Sequence, residues 1–324
     1  MAIRSYCKEI GASIVIIDMI RLAPYIKALD DLNVPVVLDY DDLLSKRYER
    51  QIGMAGGNVL GKYGMQVSGL FGSFVSNRLV KNLVLSIESK RVKRAEDKYA
   101  RLADAVLFVS PIEAEELNVR LDTKKCFNAT IGADVIEASA DKITKYDFGF
   151  VGNMHTAANQ ASLEFICNEV LPLLPNKTLR VIGVCPSDIS KRFSHYGQVS
   201  FSGRVDSVSS ELFKCRIFLA PFAYGTGIKT KVLEAMAMGI PVVTNSIGIE
   251  GMTCRPGVEV SIGEKADEIA RNAAELLSDP CLIDAIGLAG KAYVIKNHDW
   301  KNSIENLGHC LDFATEANAR KSLR

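Results

Sequence analysis

The sequence predicts an α/β protein made of two doubly wound, Rossmann-like domains. Three observations predict it. Short apolar, often β-branched runs alternate with segments of helical periodicity along most of the chain, the pattern of parallel strands joined by right-handed crossovers. The length, 324 residues, is room for about two domains of ~100–200 residues each. Hydrophobic residues make up 48% and charged residues 24%, which excludes a disordered, collagen-like or wholly coiled-coil chain.

In the first half, residues 13–17 and 34–38 read as buried parallel strands, with a short helix over 24–32 between them. Residues 105–110 are a third strand. Pro111 and the acids Glu113, Glu115 and Glu116 then mark a helix N-terminus. Residues 125–130 are a fourth strand candidate. In the second half, strands are expected at 148–151, 179–183, 199–202, 217–220, 241–244 and 258–261. Helices are expected at 159–171, 208–215, 229–238 and 266–277. The polar stretch 137–146 separates the halves, giving domains at 1–140 and 141–300, with a last helix, 301–324.

Lys+Arg, 39, and Asp+Glu, 38, nearly cancel at a net charge of +1, so a global electrostatic grip on nucleic acid is not expected. The eight cysteines are scattered, none in a C-x-x-C pair. This predicts buried, reduced thiols in a cytoplasmic protein and no zinc cluster. The best apolar run, 14–22, contains Asp18 and Arg21 and is far short of the ~20 apolar residues of a spanning helix. The first residues do not read as a signal peptide.

Residues 51–77 hold seven glycines and one charge, Lys62, whereas 78–101 carries eight basic residues against three acidic ones. Apolar glycine-rich sequence beside a basic helix fits a surface that meets anionic lipid, on the inner face of the cell membrane. The alternative is a loop followed by a solvated helix.

The chemistry concentrates in residues 220–252. This segment runs strand, glycine-rich turn, helix, glycine, strand. Gly225 and Gly227 allow close backbone approach to a ligand. A helix opening near Ile228 aims N–H groups and its positive dipole end at the turn. Lys229 and Lys231 add charge, and Glu234 can accept hydrogen bonds from ribose hydroxyls. Together these make a diphosphate cradle.

The same segment resembles the donor-site motif of family 4 glycosyltransferases, retaining enzymes of GT-B architecture, and within them the bacterial polysaccharide and exopolysaccharide sugar transferases. That family shows Glu-x7-Glu followed by Ala-Met-Ala-x-Gly-x-Pro-Val-Val, matched in its second half by Glu234-Ala235-Met236-Ala237-Met238-Gly239-Ile240-Pro241-Val242-Val243. Phe150-Val151-Gly152-Asn153-Met154 resembles the first strand and glycine loop of the donor domain. Arg180-Val181-Ile182-Gly183, Phe201-Ser202-Gly203-Arg204-Val205 and His298-Asp299-Trp300 resemble later elements in order.

The resemblance implies an α/β GT-B fold, two Rossmann-like domains facing a cleft, the first shortened at its start, with the last helix packing back on it. It implies a hexosyltransferase-type enzyme that uses a nucleoside diphosphate sugar, needs no metal, and acts on a glycan or lipid-linked acceptor. Glu234 would bind ribose, and Gly225, Thr226, Gly227, Ile228 and Lys229 would surround the diphosphate. Arg204 and Val205 would lie near phosphate or base, with Gly152 and Asn153 in the facing loop. Lys229 would neutralise charge on the departing nucleotide, where fixed positive groups act best.

Three departures stand out. Thr226 occupies the place of the first Glu. Asn153, His155 and Thr156 stand where Arg and Lys are common. Asp41-Asp42 replaces His-Asp after the second strand. Asp41, at a strand's C-terminal end, either contacts substrate or, like Asp42, caps a helix; with Lys229 and Glu234 it completes the candidate catalytic set. His195, His298 and His309 read as surface or capping residues and Trp300 as packing, while His155 stands beside the glycine loop. Two rival readings remain at this level: a non-catalytic nucleotide-sugar or glycan-binding subunit, and a nucleotide-sugar epimerase of the same architecture.

Overall fold

A computed structural model describes residues 2–52, 78–138, 143–193, 196–225 and 227–322. Thr226, His195 and the glycine-rich stretch 53–77 therefore lie outside the described residues. The chain divides into two compact units, Met1–Ala129 with Glu305–Arg324, and Thr130–Ile304.

The first unit contains α1 (Ala2–Glu9), β1 (Val15–Asp18), a 3-10 turn (Ala23–Ala28), β2 (Val36–Asp39), α2 (Leu44–Gln51), α3 (Arg78–Leu102), β3 (Ala105–Phe108), α4 (Pro111–Leu121) and β4 (Cys126–Asn128). Its four strands are parallel in the order β1-β2-β3-β4. Because side chains alternate across a strand, Leu38 and Phe108 face a core that includes Ile17, Tyr40, Leu43 and Leu117. Val37, Ala105 and Leu107 face the other way, where Cys310 and Ala314 cover them. Those two belong to the last helix, Trp300–Ser322, which enters the first unit at Glu305. Its far end is fixed by polar contacts. Lys321 Nζ donates to Asp104 Oδ1 at 2.6 Å and Asn318 to the Asn33 carbonyl at 3.1 Å. Asp104, only 5% exposed, also accepts from Val36 N at 2.9 Å.

The second unit contains β5 (Tyr146–Val151), α5 (Ala157–Phe165), β6 (Leu179–Ile182), α6 (Ser187–Phe193), β7 (Val199–Phe201), α7 (Val208–Leu212), β8 (Cys215–Ala220), α8 (Thr230–Ala237), β9 (Val242–Thr244), β10 (Ser261–Ile262), α9 (Ala266–Ser278) and α10 (Pro280–Asn297). Its six parallel strands run in the order β10-β9-β8-β5-β6-β7. Phe148, Phe150, Val181, Ile217 and Phe218 are wholly or almost wholly buried, consistent with a parallel sheet covered on both faces.

Several details differ from the sequence reading. The units change over at Thr130 and Glu305 rather than at 141 and 301. The reason is local: Ser303 Oγ donates to the Thr130 carbonyl at 2.5 Å, and Ala133 N to the His298 carbonyl at 2.9 Å, so 130–136 belongs with the second unit. The helix expected over 24–32 is a 3-10 turn ending at Ala28. The helix expected over 159–171 is α only to Phe165 and then widens to a π turn, Ile166–Val170, ahead of Pro172, whose ring nitrogen cannot donate. Residues 256–260 form a turn closed by Gly257 N to the Val260 carbonyl at 2.7 Å, so β10 pairs only at Ser261 and Ile262. The thiols are free, with Cys281 exposed, and burial pushes that of Cys126 up to about 12.

Replacing Asp104 by Ala leaves the buried Val36 N–H without its acceptor. Urea unfolding should show a loss of about 1–3 kcal/mol; unchanged stability would contradict this role for the Asp104 contacts.

Candidate functional site

The second sheet reverses its winding direction beside its first strand. From β5 the chain moves outward to β6 and β7, then returns to β8 on the other side of β5 and continues to β9 and β10. The connections leaving β5 and β8 therefore diverge, opening a crevice at the strands' C-terminal ends, where open α/β sheets bind ligands. The two glycine turns singled out in the sequence are these two connections, 152–156 and 221–229.

Glycine is required where the first of these loops passes the end of β6. A Cβ on Gly183 would lie 2.3 Å from the Gly152 carbonyl oxygen, and Gly183 has φ +123°. Asn153 organises the first loop. Its side-chain oxygen accepts from His155 N at 3.0 Å, and its carbonyl accepts from Thr156 N, Thr156 Oγ1 and Asn159 Nδ2. Thr156 caps α5 through Asn159 N. The second loop is tied to α5, where Ala223 N donates to Ser162 Oγ at 3.2 Å, and α8 is tied to it by Lys231 Nζ, which donates to Asn159 Oδ1 at 3.3 Å. It is also fixed to the end of β9 by paired hydrogen bonds between Phe222 and Asn245.

Gly225 and Gly227 have φ +156° and +68°, so the turn uses backbone conformations that side chains disfavour. Helix α8 opens at Thr230, not near Ile228, with Lys229 at the N-cap and no side-chain cap. Ile228 is buried. The Lys229 side chain, 11% exposed, folds back over the turn. Its ammonium donates to the Gly227 carbonyl at 2.7 Å, lies 3.9 Å from the Glu250 carboxylate and 5.9 Å from the Phe222 ring centroid. A cation, two glycines and a helix N-terminus thus meet at one place, an arrangement suited to an anion.

Glu234 lies just over one turn into α8, exposed into a cavity of about 700 Å³ within this unit, a volume typical of small-molecule sites. Val151, Asp206, Ser207, Lys231 and Trp300 share its lining. Burial holds the Glu234 carboxyl above its ordinary value, partly offset by Lys231, while burial lowers the Lys231 ammonium, partly offset by Glu234. Beyond β7, Gly203 bridges to Gly183 and has φ +67°. Arg204 follows it, exposed and without an ion-pair partner among the described residues, with half-buried Val205 next. Gly152, Asn153, Gly225, Gly227, Lys229, Arg204 and Val205 therefore all lie on the C-terminal edge of one sheet.

The sequence reading missed part of the cavity wall. Trp300 is half exposed, its ring lying so close to Gly132 that a Cβ there would be 2.3 Å from Cδ2. Packing alone does not describe it. His298, read as surface or capping, occupies the C-cap of α10 but is buried, with Nδ1 3.0 Å from the Ile131 carbonyl. His309 is exposed.

Asp41 stands in the first unit beyond the C-terminal end of β2. It is exposed, with φ +63°; its N–H donates to Asp39 Oδ1 at 3.1 Å and its carbonyl accepts from Val109 N at 3.1 Å. Burial raises the Asp39 carboxyl, with added repulsion from Asp41 and Asp18. The capping alternative fails: α2 has Leu43 at its N-cap with no side-chain bond, and Asp42 pairs with Arg47 at 2.5 Å. Among the described residues no group of three or more His, Cys, Asp or Glu is arranged to hold a metal ion.

Comparison with known proteins gives these features a family context. Residues 145–279 match the family described as Glycosyl transferases group 1. A curated relative, the GDP-mannose-dependent monoacylated alpha-(1-6)-phosphatidylinositol monomannoside mannosyltransferase of Corynebacterium glutamicum, is 25% identical over 168 residues. That match covers 47% of this chain and 43% of the relative, so it spans under half of the relative's length. Among solved structures, sucrose-phosphate synthase from Thermosynechococcus elongatus aligns with TM-score 0.67 at 15% identity, covering 95% of this chain and 75% of that one. HepE from Anabaena in complex with UDP aligns with TM-score 0.66 at 14% identity, covering 96% and 81%.

The opposed effects at Glu234 and Lys231 give a prediction. In a carbon-13 titration of the glutamate carboxyls, Glu234 should titrate above an ordinary glutamate, and Lys231→Met should move it further up by removing the neighbouring cation. A downward move would contradict the coupling. Residues 145–279 thus resemble the glycosyl transferases group 1 family, and the chain has an α/β fold of GT-B type.

Proposed function

We propose that this protein is a hexosyltransferase that moves a sugar from a nucleoside diphosphate sugar to a glycan or lipid-linked acceptor, with retention of anomeric configuration and without a metal. The observation that carries the reading is the convergence of the two glycine turns at the winding reversal, with Lys229 over one of them and Glu234 in the adjoining cavity. The relative from Corynebacterium glutamicum uses GDP-mannose and HepE binds UDP, which supports a nucleotide-sugar donor here.

In this reading the ribose hydroxyls donate to Glu234. The diphosphate lies against Gly225, Thr226, Gly227 and Ile228, facing the first N–H groups of α8 and the Lys229 ammonium. Arg204 and Val205 border phosphate or base, with Gly152 and Asn153 opposite. As the sugar–phosphate bond breaks, negative charge grows on the departing nucleotide. Lys229 and the helix dipole already stand at the turn, so little reorganisation is needed there, and the exposed Arg204 adds positive charge on the same edge. Asp41 contacts the acceptor from the first unit. The site of action is the cytoplasmic face of the cell membrane. The exopolysaccharide role rests on the motif resemblance alone.

One sequence feature favours a second reading. Thr226 stands where the family carries its first glutamate, which removes a carboxylate from the donor sugar's side and leaves a nucleotide-sugar-binding subunit as the alternative. Calorimetric titration with GDP and UDP, followed by nucleoside diphosphate release from a panel of nucleotide sugars with added membranes, separates them. Glu234→Ala should lower nucleotide affinity about tenfold or more, the weight of a charge-assisted hydrogen bond, without changing the circular dichroism spectrum. Unchanged affinity contradicts the donor site; binding without release in every combination favours the binding subunit.

A further inference from the structure

The helix α3 has two opposed sides. Leu85, Ser89, Glu96 and Ala100 are buried. At about 100° per residue, Leu83, Ile87, Lys90, Arg94, Lys98 and Arg101 fall in one stripe on the other side, and all six are exposed. Val84 and Arg91, also exposed, flank it. With a rise of about 1.5 Å per residue the stripe is ~27 Å long.

Its chemistry changes along its length. Leu83 and Ile87, 62% and 45% exposed, form an aliphatic end, and the cations follow. The helix's own acids do not neutralise them. Glu96 is buried and accepts from Ser45 N and Oγ at 2.9 and 2.6 Å. Asp97 pairs with Arg120 at 2.8 Å, and Glu88 reaches only Arg91, at 3.3 Å. Lys90, Arg94, Lys98 and Arg101 have no ion-pair partner among the described residues.

We propose that this stripe docks the first unit on a bilayer containing anionic phospholipids, the cations meeting headgroup phosphates and Leu83, Val84 and Ile87 entering the acyl boundary. A soluble polyanion would satisfy the cations but leave the aliphatic end in water. A bilayer interface satisfies both. The inference is independent of sugar transfer, since a chain with no transferase activity would still dock.

The test is flotation of the full chain at low salt with vesicles of phosphatidylglycerol and phosphatidylcholine, and with phosphatidylcholine alone. The wild type should co-float with the first and not the second, and added salt should release it. Lys90→Glu with Arg94→Glu and Lys98→Glu should reduce recovery by well over tenfold, at about fivefold per removed charge. Leu83→Ser with Ile87→Ser should weaken vesicle binding several-fold while leaving any retention on duplex DNA unchanged. All these side chains are exposed, and circular dichroism checks that the fold is kept. No flotation of the wild type, equal flotation with the neutral vesicles, or wild-type flotation of the charge-reversed variant overturns the proposal. Wild-type flotation of the double serine variant also overturns it, because the aliphatic end then contributes nothing to vesicle binding.

Discussion

The second unit depends on a reversal in the winding of one parallel sheet. Strand β5 must hydrogen-bond to β6 on one side and β8 on the other, so the loops leaving β5 and β8 share one edge and open a crevice there. Everything placed there follows from that constraint. Glycine at 183 is needed because the backbone of 152 passes within reach of any Cβ. Asn159, at the start of α5, links the first loop to α8, accepting from Lys231 and donating to the Asn153 carbonyl. The apolar residues in the middle of β5 and β8 are almost wholly buried, so the site rests on a rigid sheet.

The electrostatics of the edge follow from the same placement. Lys229 spends its hydrogen bond on the Gly227 carbonyl, which holds the ammonium over the turn before any anion arrives. Glu234 lies just over one turn along the same helix, in a cavity that raises its carboxyl and shares Lys231 as a moderating cation. A cationic turn beside a partly desolvated carboxylate matches a ligand with a negative diphosphate at one end and hydroxyl donors next to it.

Much of this was legible in the sequence, for physical reasons. Short apolar runs such as 148–151 and 217–220, bounded by turn residues, read as strands of a covered sheet, and the glycine-rich turn before Glu234 marks a close backbone approach. Contacts between residues distant in sequence were not legible. The Lys229–Glu250 pair depends on where the loop after β9 lands. Trp300 becomes part of the cavity wall because Gly132, far away in sequence, leaves its ring a flat place to lie. Residues 258–261 read as a strand in the sequence. The Arg255–Glu259 ion pair and the left-handed Gly257 make it a turn instead. Asp41 illustrates the limit from the other direction: its position past a strand end was readable, but its left-handed backbone and its bond to Asp39 were not.

The central claim is that the loops after β5 and β8 form a single nucleotide-binding edge. Hydrogen–deuterium exchange with and without GDP or UDP tests it most directly. Bound nucleotide should slow exchange in both 152–159 and 221–234 together, because one ligand bridges both loops. Protection of only one loop, or of neither while nucleotide is bound elsewhere in the chain, would contradict it.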